Sequence, residues 1–160
     1  TRSTRLSDRR VIADVGAGVD FLKRQSNVDA KRIGIVGFCM GGRVVYLMAA
    51  ASPDFKAAVT FYPGNTARAW GRDIASPFER SGEIHCPVQG HFGDDDKNPS
   101  PEDRAKLDAE LTKYGKSHEF FAYPDAGHAF MDHTKESYRP QAEAAAWPRT
   151  LAFFQRHLKG

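Results

Sequence analysis

Two residues stand out for the chemistry they could do: a cysteine and a histidine, each set among glycines. The cysteine lies in Gly37-Phe38-Cys39-Met40-Gly41-Gly42. A short apolar run, Arg32-Ile33-Gly34-Ile35-Val36-Gly37-Phe38, leads into it, and a helical pattern from Met40 to Ala51 follows. This is a G-x-S-x-G nucleophile elbow with Cys in place of Ser, a sharp strand-to-helix turn that holds its nucleophile in a strained backbone. The flanking glycines allow neighbouring backbone to approach closely. At the head of a helix, unpaired N–H groups and the dipole favour a thiolate. The N–H of Met40 is then placed to donate to an oxyanion. The bland alternative is a cysteine packed as a small hydrophobe in a Gly-rich turn; the strand before and helix after argue against it.

The histidine lies in Tyr123-Pro124-Asp125-Ala126-Gly127-His128-Ala129-Phe130, just past the last strand pattern. Parallel α/β sheets build their sites at the carboxyl ends of strands. His128 also follows Cys39 in the order nucleophile, acid, histidine that accompanies such an elbow. The acid should lie between them, and Phe92-Gly93-Asp94-Asp95-Asp96-Lys97-Asn98-Pro99 offers three consecutive aspartates. Spacing alone does not choose among them. A calcium loop starting at Asp94 would put Pro99 where Gly is needed and Ala105 where a bidentate Glu is needed, so that reading fails. No metal site is expected: His128 and His133 are five apart without an HExxH pattern. Phosphate-loop and dinucleotide motifs are absent, and no cofactor is implied. Cys86, before Pro87 at a strand start, reads as a structural thiol.

The elements that must position these residues alternate along the chain. Ser7 can cap a helix with Val11, Val15, Val19 and Leu22 at helical spacing. The run into Cys39 has no polar alternation, which suits a strand buried on both faces of a parallel sheet. Residues 57–62 and 88–93 read as further strands, and 118–123 as the fourth. Ser100-Pro101-Glu102-Asp103 starts a helix with a capping box and Gly115 ends it. A last helix runs from about Gln141 to Leu158, with Pro148 expected to kink or restart it. Residues 64–84 are the least readable part, expected to be loop with a short helix. The expectation is one α/β domain over residues 1–160, a parallel sheet flanked by helices with right-handed crossovers.

Composition narrows the function classes. With 160 residues, 41% hydrophobic and 27% charged, the chain has the makeup of one globular domain. Its net charge of +3 is mild, and acidic residues interrupt the basic ones throughout, so no nucleic-acid partner is expected. No apolar run approaches a membrane span, and Thr1 to Arg10 is polar and charged with no signal-peptide stretch. Two cysteines make no disulfide framework, so a reduced, cytoplasmic protein is expected.

With elbow, acid loop and histidine loop in place, the chain resembles the dienelactone hydrolase (carboxymethylenebutenolidase) family of α/β-hydrolases, from about Leu6 to the C-terminus. The resemblance is carried by residues 32–42, by Phe92-Gly93-Asp94-Asp95-Asp96 and by Gly127-His128-Ala129-Phe130. It implies an α/β-hydrolase-like sheet, a small-molecule ester or lactone substrate and Asp96 as the acid. Cys39 would be nucleophile, His128 base and Met40 an oxyanion donor, with a thioester acyl-enzyme as intermediate. Two departures qualify it. Family members begin with several further strands, one of whose loops supplies a second oxyanion donor. The expectation is therefore the C-terminal portion of that fold, its first strand left as an edge that invites pairing with another copy. The dienelactone enzyme also carries an Arg four residues after its histidine to hold the substrate carboxylate; here that position is Asp132, which points to a neutral or different ester. The alternative is a non-catalytic homologue that keeps the fold as a binding or assembly module.

Overall fold

Residues 6–72 and 74–159 are described by a computed structural model of the chain. Four runs rich in branched and aromatic residues form strands: β1 (Ile33–Phe38), β2 (Phe55–Phe61), β3 (Val88–Gly93) and β4 (His118–Tyr123). They make one sheet in the order β1-β2-β3-β4, every neighbouring pair parallel. Because successive strand residues face opposite sides, β2 divides its small apolar residues between two cores. Ala58 points into one, and Ala57 and Val59 into the other.

Three helices serve the first core: α1 (Asp8–Lys23), α2 (Met40–Ala51) and α3 (Pro101–Lys113) contribute Val19, Val45, Tyr46, Met48, Leu107 and Leu111. The second core lies under α4 (Pro140–Leu158), where Ala142, Ala146 and Phe153 meet Phe61, Tyr123 and Phe130. Helices on both faces leave the strand ends as the open side of the sheet. The capping box at α3 forms as expected, with Ser100 Oγ accepting from the Asp103 N–H and the Asp103 carboxylate accepting from the Ser100 N–H.

Several expectations need correction. β1 takes the edge position expected of it, but it is not buried on both faces: Val36 and Phe38, on one face, are exposed. Apolar continuity records what a strand tolerates, not what covers each of its faces. Ser7 occupies the N-cap position of α1 but its hydroxyl makes no capping bond; the first turn is tied instead by Asp8, as set out below. Pro148 lies inside α4, which continues from Pro140 to Leu158 without a break. Residues 64–84, the least readable stretch of the sequence, are by contrast as expected among the described residues: loop with a short 3₁₀ helix at Ser81–Glu83. Part of the polar start read from Thr1 to Arg10 falls on residues 1–5, outside the described residues. No helix among the described residues is long and apolar enough to cross a membrane.

Candidate active site

Cys39 sits between the end of β1 and the first residue of α2 with φ 56° and ψ −118°. That left-handed conformation is strained for a residue with a side chain. It is held on both sides: the Cys39 N–H donates to Phe61 O at 3.0 Å, and the Cys39 C=O accepts from the Arg43 N–H at 3.1 Å. The turn is tight enough to require two glycines. A Cβ on Gly37 would lie 2.3 Å from Gly41 O, and one on Gly42 would lie 2.5 Å from Phe61 O. Gly41, the second glycine of the five-residue motif, has open space around its Cβ position, so Gly42 carries the packing requirement here. Met40 opens α2, so its N–H belongs to the first turn, which has no intrahelical acceptors.

The structure brings together the three side chains singled out from three separate loops. His128 Nε2 is 3.0 Å from Cys39 Sγ, and His128 Nδ1 is 2.9 Å from Asp96 Oδ2. The other Asp96 oxygen accepts from the Asn98 N–H at 2.9 Å. Asp96 is almost fully buried and His128 half-buried. Of the neighbouring aspartates, Asp94 pairs with Arg104 on the surface and Asp95 is exposed. The hydrogen bond to Asp96 raises the His128 pKa from 6.5 to about 9, against an opposing effect of burial. An imidazolium at this distance stabilises negative charge on the sulfur beside it. Cys86, by contrast, is buried, and desolvation pushes its thiol up to about 11, which fits a structural role.

Three further residues shape the site and were not singled out in the sequence. Tyr62, read there as a strand end, lies past β2 with φ 37°, and its ring meets His128 edge-on at 5.2 Å. Arg43 and Asp8 form a bidentate ion pair at 2.7 and 3.0 Å with both side chains out of contact with water. Arg43 also donates to the carbonyls of Asn65 and Arg68 and stacks on Trp70, 3.7 Å from the ring centre. Asp8 accepts from the Trp70 N–H at 2.8 Å. The loop that follows Tyr62 is thereby fastened to α1 and α2. Its Asn65 N–H donates to Asn98 Oδ1 at 2.9 Å, which connects the ion pair to the segment holding Asp96. One sequence signal was available: Arg43 is the lone charge in the otherwise apolar α2.

Cys39 opens onto two cavities. One, of about 1040 Å³, runs between the Asp96 loop and residues 64–72; the other, of about 480 Å³, is lined by Phe38, Tyr62, Ala129, Met131 and Trp147 together with Asp132 and Glu143. Strained backbone clusters here: Cys39, Tyr62, Asn65 and Ala129 all combine positive φ with a place in a cavity wall. Among the described residues, no cluster of three or more His, Cys, Asp or Glu is arranged to hold a metal ion.

Comparison with known proteins agrees with this architecture. A Bradyrhizobium sp. protein named for lactonase action on 2-oxo-3-(5-oxofuran-2-ylidene)propanoate is 38% identical over 97% of this chain and 62% of its own length. A Synechocystis sp. protein named as a carboxymethylenebutenolidase is 32% identical over 96% of this chain and 62% of its own. The chain thus spans about three fifths of the length of these relatives. A dienelactone hydrolase structure from Klebsiella pneumoniae superposes with TM-score 0.86 and 30% identity, covering 95% of this chain and 63% of that one. An acylaminoacyl peptidase from Pyrococcus horikoshii shares the fold alone, at 18% identity and TM-score 0.81 over 98% of this chain and 29% of that one. The model of the dienelactone hydrolase family matches residues 2–158, and the chain belongs to that family.

Proposed function

We propose that this protein hydrolyses ester or lactone bonds through a covalent intermediate on Cys39. The observation that carries the proposal is the unbroken chain of contacts from Sγ through His128 to Asp96, at 3.0 and 2.9 Å. His128 Nε2 takes the thiol proton and Sγ attacks the carbonyl carbon. The Met40 N–H donates to the oxyanion that develops. Collapse breaks the bond to the leaving oxygen, which receives the proton held on His128, and a thioester remains. Water then gives a proton to His128 and attacks the thioester; the acid product leaves and the proton returns to sulfur. Asp96 holds the ring in the orientation this sequence requires and stabilises its protonated form. A thiolate leaves as readily as it attacks, so activated esters and strained or enol lactones suit it better than amides. The relatives named for lactone substrates support the same substrate class.

The test is hydrolysis of p-nitrophenyl acetate by the protein and by Cys39→Ala, with circular dichroism on both. Turnover by the former and none by a folded Cys39→Ala is expected. Equal turnover by both would remove Cys39 from the mechanism, and inertness of both toward activated esters would favour the non-catalytic module.

A further inference from the structure

The loop that carries Asp96 is tied down unevenly. Upstream of the carboxylate, the Asp94 N–H donates to Tyr123 O and the Asp95 N–H to Ala126 O, each at 3.0 Å. Those bonds join that half to the end of β4 and to the histidine loop. Downstream, Lys97 and Asn98 are exposed, and α3 begins only at Pro101. Among the described residues, the hydrogen bond that joins this half to another loop is made by the Asn98 side chain. Its Oδ1 accepts from the Asn65 N–H at 2.9 Å. The fit is close: a Cβ on Gly64 would lie 2.9 Å from Asn98 O and 3.1 Å from its Oδ1.

Asn65 is a firm partner. Its carbonyl accepts from Arg43 Nε at 3.2 Å and from the Arg68 N–H at 3.1 Å, and Arg43 is held in turn by Asp8. Asn98 thus stands between a loop fixed by a buried ion pair and the carboxylate that meets His128. Its own N–H donates to Asp96 Oδ1 at 2.9 Å, which leaves Oδ2 for His128 Nδ1. An N–H bonded to a carboxylate is a charge-assisted and directional contact. The orientation of the Asn98 peptide therefore sets the rotation of the Asp96 carboxylate.

Resting on the hydrolase reading above, we propose that Asn98 is a positioning residue for the triad. Its side chain, latched to Asn65, aims the Asn98 N–H at one oxygen of Asp96 and so keeps the other on His128. Asn98 acts through Asp96 rather than on the reacting atoms. A carboxylate free to turn spends part of its time away from the ring. For that part, the imidazolium formed during turnover loses the partner that stabilises and orients it. The buried pair of Asp8 and Arg43 is the far anchor of the same latch, which explains why a fixed loop at residues 65–70 matters to a histidine on another loop.

Asn98→Ala removes the acceptor and Asn98→Asp keeps one, so the two variants test the latch. With p-nitrophenyl acetate, Asn98→Ala should lower kcat about three- to tenfold, the worth of one hydrogen bond, with little change in KM. Its alkaline decline in kcat/KM, expected at about 9 in the protein, should move to lower pH. Asn98→Asp should recover most of kcat and keep the decline at or above its place in the protein. Gly64→Ala, which crowds Asn98 from the other side of the contact, should move the decline as Asn98→Ala does. A residue that only supports the fold would lower kcat at every pH alike and leave the decline in place. That result, or an unchanged kcat in Asn98→Ala, would overturn the proposal. If the protein turns over no ester, the hydrolase reading fails, and the rate of iodoacetamide alkylation at Cys39, followed by mass spectrometry, still decides. His128 takes the thiol proton there too, so near neutral pH Asn98→Ala should react more slowly than the protein and Asn98→Asp should not. Equal rates in all three would overturn the latch.

Discussion

Two histidines, one inside the sheet and one on the loop beyond its last strand, are each hydrogen-bonded through both ring nitrogens, yet they are driven in opposite directions. His91 lies in the middle of β3, fully buried. Tyr123 Oη is 2.7 Å from its Nδ1, and Gln89 Oε1 and Thr150 Oγ1 are 2.8 and 3.2 Å from its Nε2. Its ring stacks on Phe61 at 4.4 Å. All those partners are neutral, so desolvation dominates, and the pKa falls from 6.5 to about 3. His128 stands at the half-exposed rim with a buried carboxylate on one nitrogen, and its pKa rises to about 9. Hydrogen bonding therefore does not by itself make a histidine a base. The formal charge of the partner and the remaining access to water decide whether the ring takes a proton. His91 is held neutral and serves packing; His128 is shifted toward accepting a proton, next to a sulfur that can give one.

The comparison breaks if Asp96 is not what raises His128. Asp96→Asn keeps an oxygen beside the imidazole and removes the charge. Its kcat should fall by as much as about 10⁴-fold, the loss seen when an uncharged amide replaces the acid of such a triad. The pH profile gives the sharper readout. A His128 that must deliver a proton to the leaving group loses that ability as pH rises through about 9, so kcat/KM should decline there. In Asp96→Asn the decline should begin at lower pH, because the hydrogen bond to Asp96 is the largest cause of the elevated value. An alkaline limb that stays in place would mean that Asp96 orients the ring without setting its charge.

Arg43 extends the rule to a charge with no access to water. It is tolerated because Asp8 meets it in a bidentate pair and two carbonyls take further N–H groups. Arg43→Met would strand the Asp8 carboxylate, and a loss of about 3–5 kcal/mol in urea unfolding is expected. Replacing both partners, with Asp8→Leu added, should recover most of that loss, since an apolar pair of similar volume is often neutral or stabilising. No recovery in the double variant would show that the fastening of residues 65–70, rather than uncompensated charge, accounts for the cost.

How much of this was legible in the sequence depends on how local each signal is. The elbow is a contiguous signal: Gly37, Cys39 and Gly42 are close in the chain because the turn itself is what they build. The borders of β3 and β4 and the α3 capping box are likewise written in neighbouring residues. Asp96 is different. Three identical aspartates stand in a row, and only the resemblance, then the contact with His128, separates them. Asp8, Arg43 and Trp70 meet across 35 and 62 residues of chain, a distance at which no periodicity operates. The exposed face of β1 escaped for a related reason: composition reports the apolarity of a strand and not what packs over each face.

The two histidines also make a prediction about stability that needs no substrate. A histidine whose folded pKa is depressed contributes stability that is present above its unfolded value, and it is lost as pH falls toward the folded value. For His91 that window runs from 6.5 down to about 3. One whose folded pKa is raised contributes stability present below its unfolded value and lost as pH rises through the folded one. For His128 the window runs from 6.5 up to about 9. The protein should therefore be most stable near the unfolded pKa, with His91 controlling the acid side and His128 the alkaline side. Between roughly pH 6 and pH 4 the fully buried His91 should cost about 2–3 kcal/mol, close to one proton's worth of slope. Urea unfolding of His91→Gln across that range should show a flatter acid limb with the alkaline limb intact, whatever the variant loses at neutral pH. Asp96→Asn should flatten the alkaline limb instead. If His91→Gln left the acid limb unchanged, carboxylates elsewhere would control it, and His91 would be neutral in the fold without being costly to protonate.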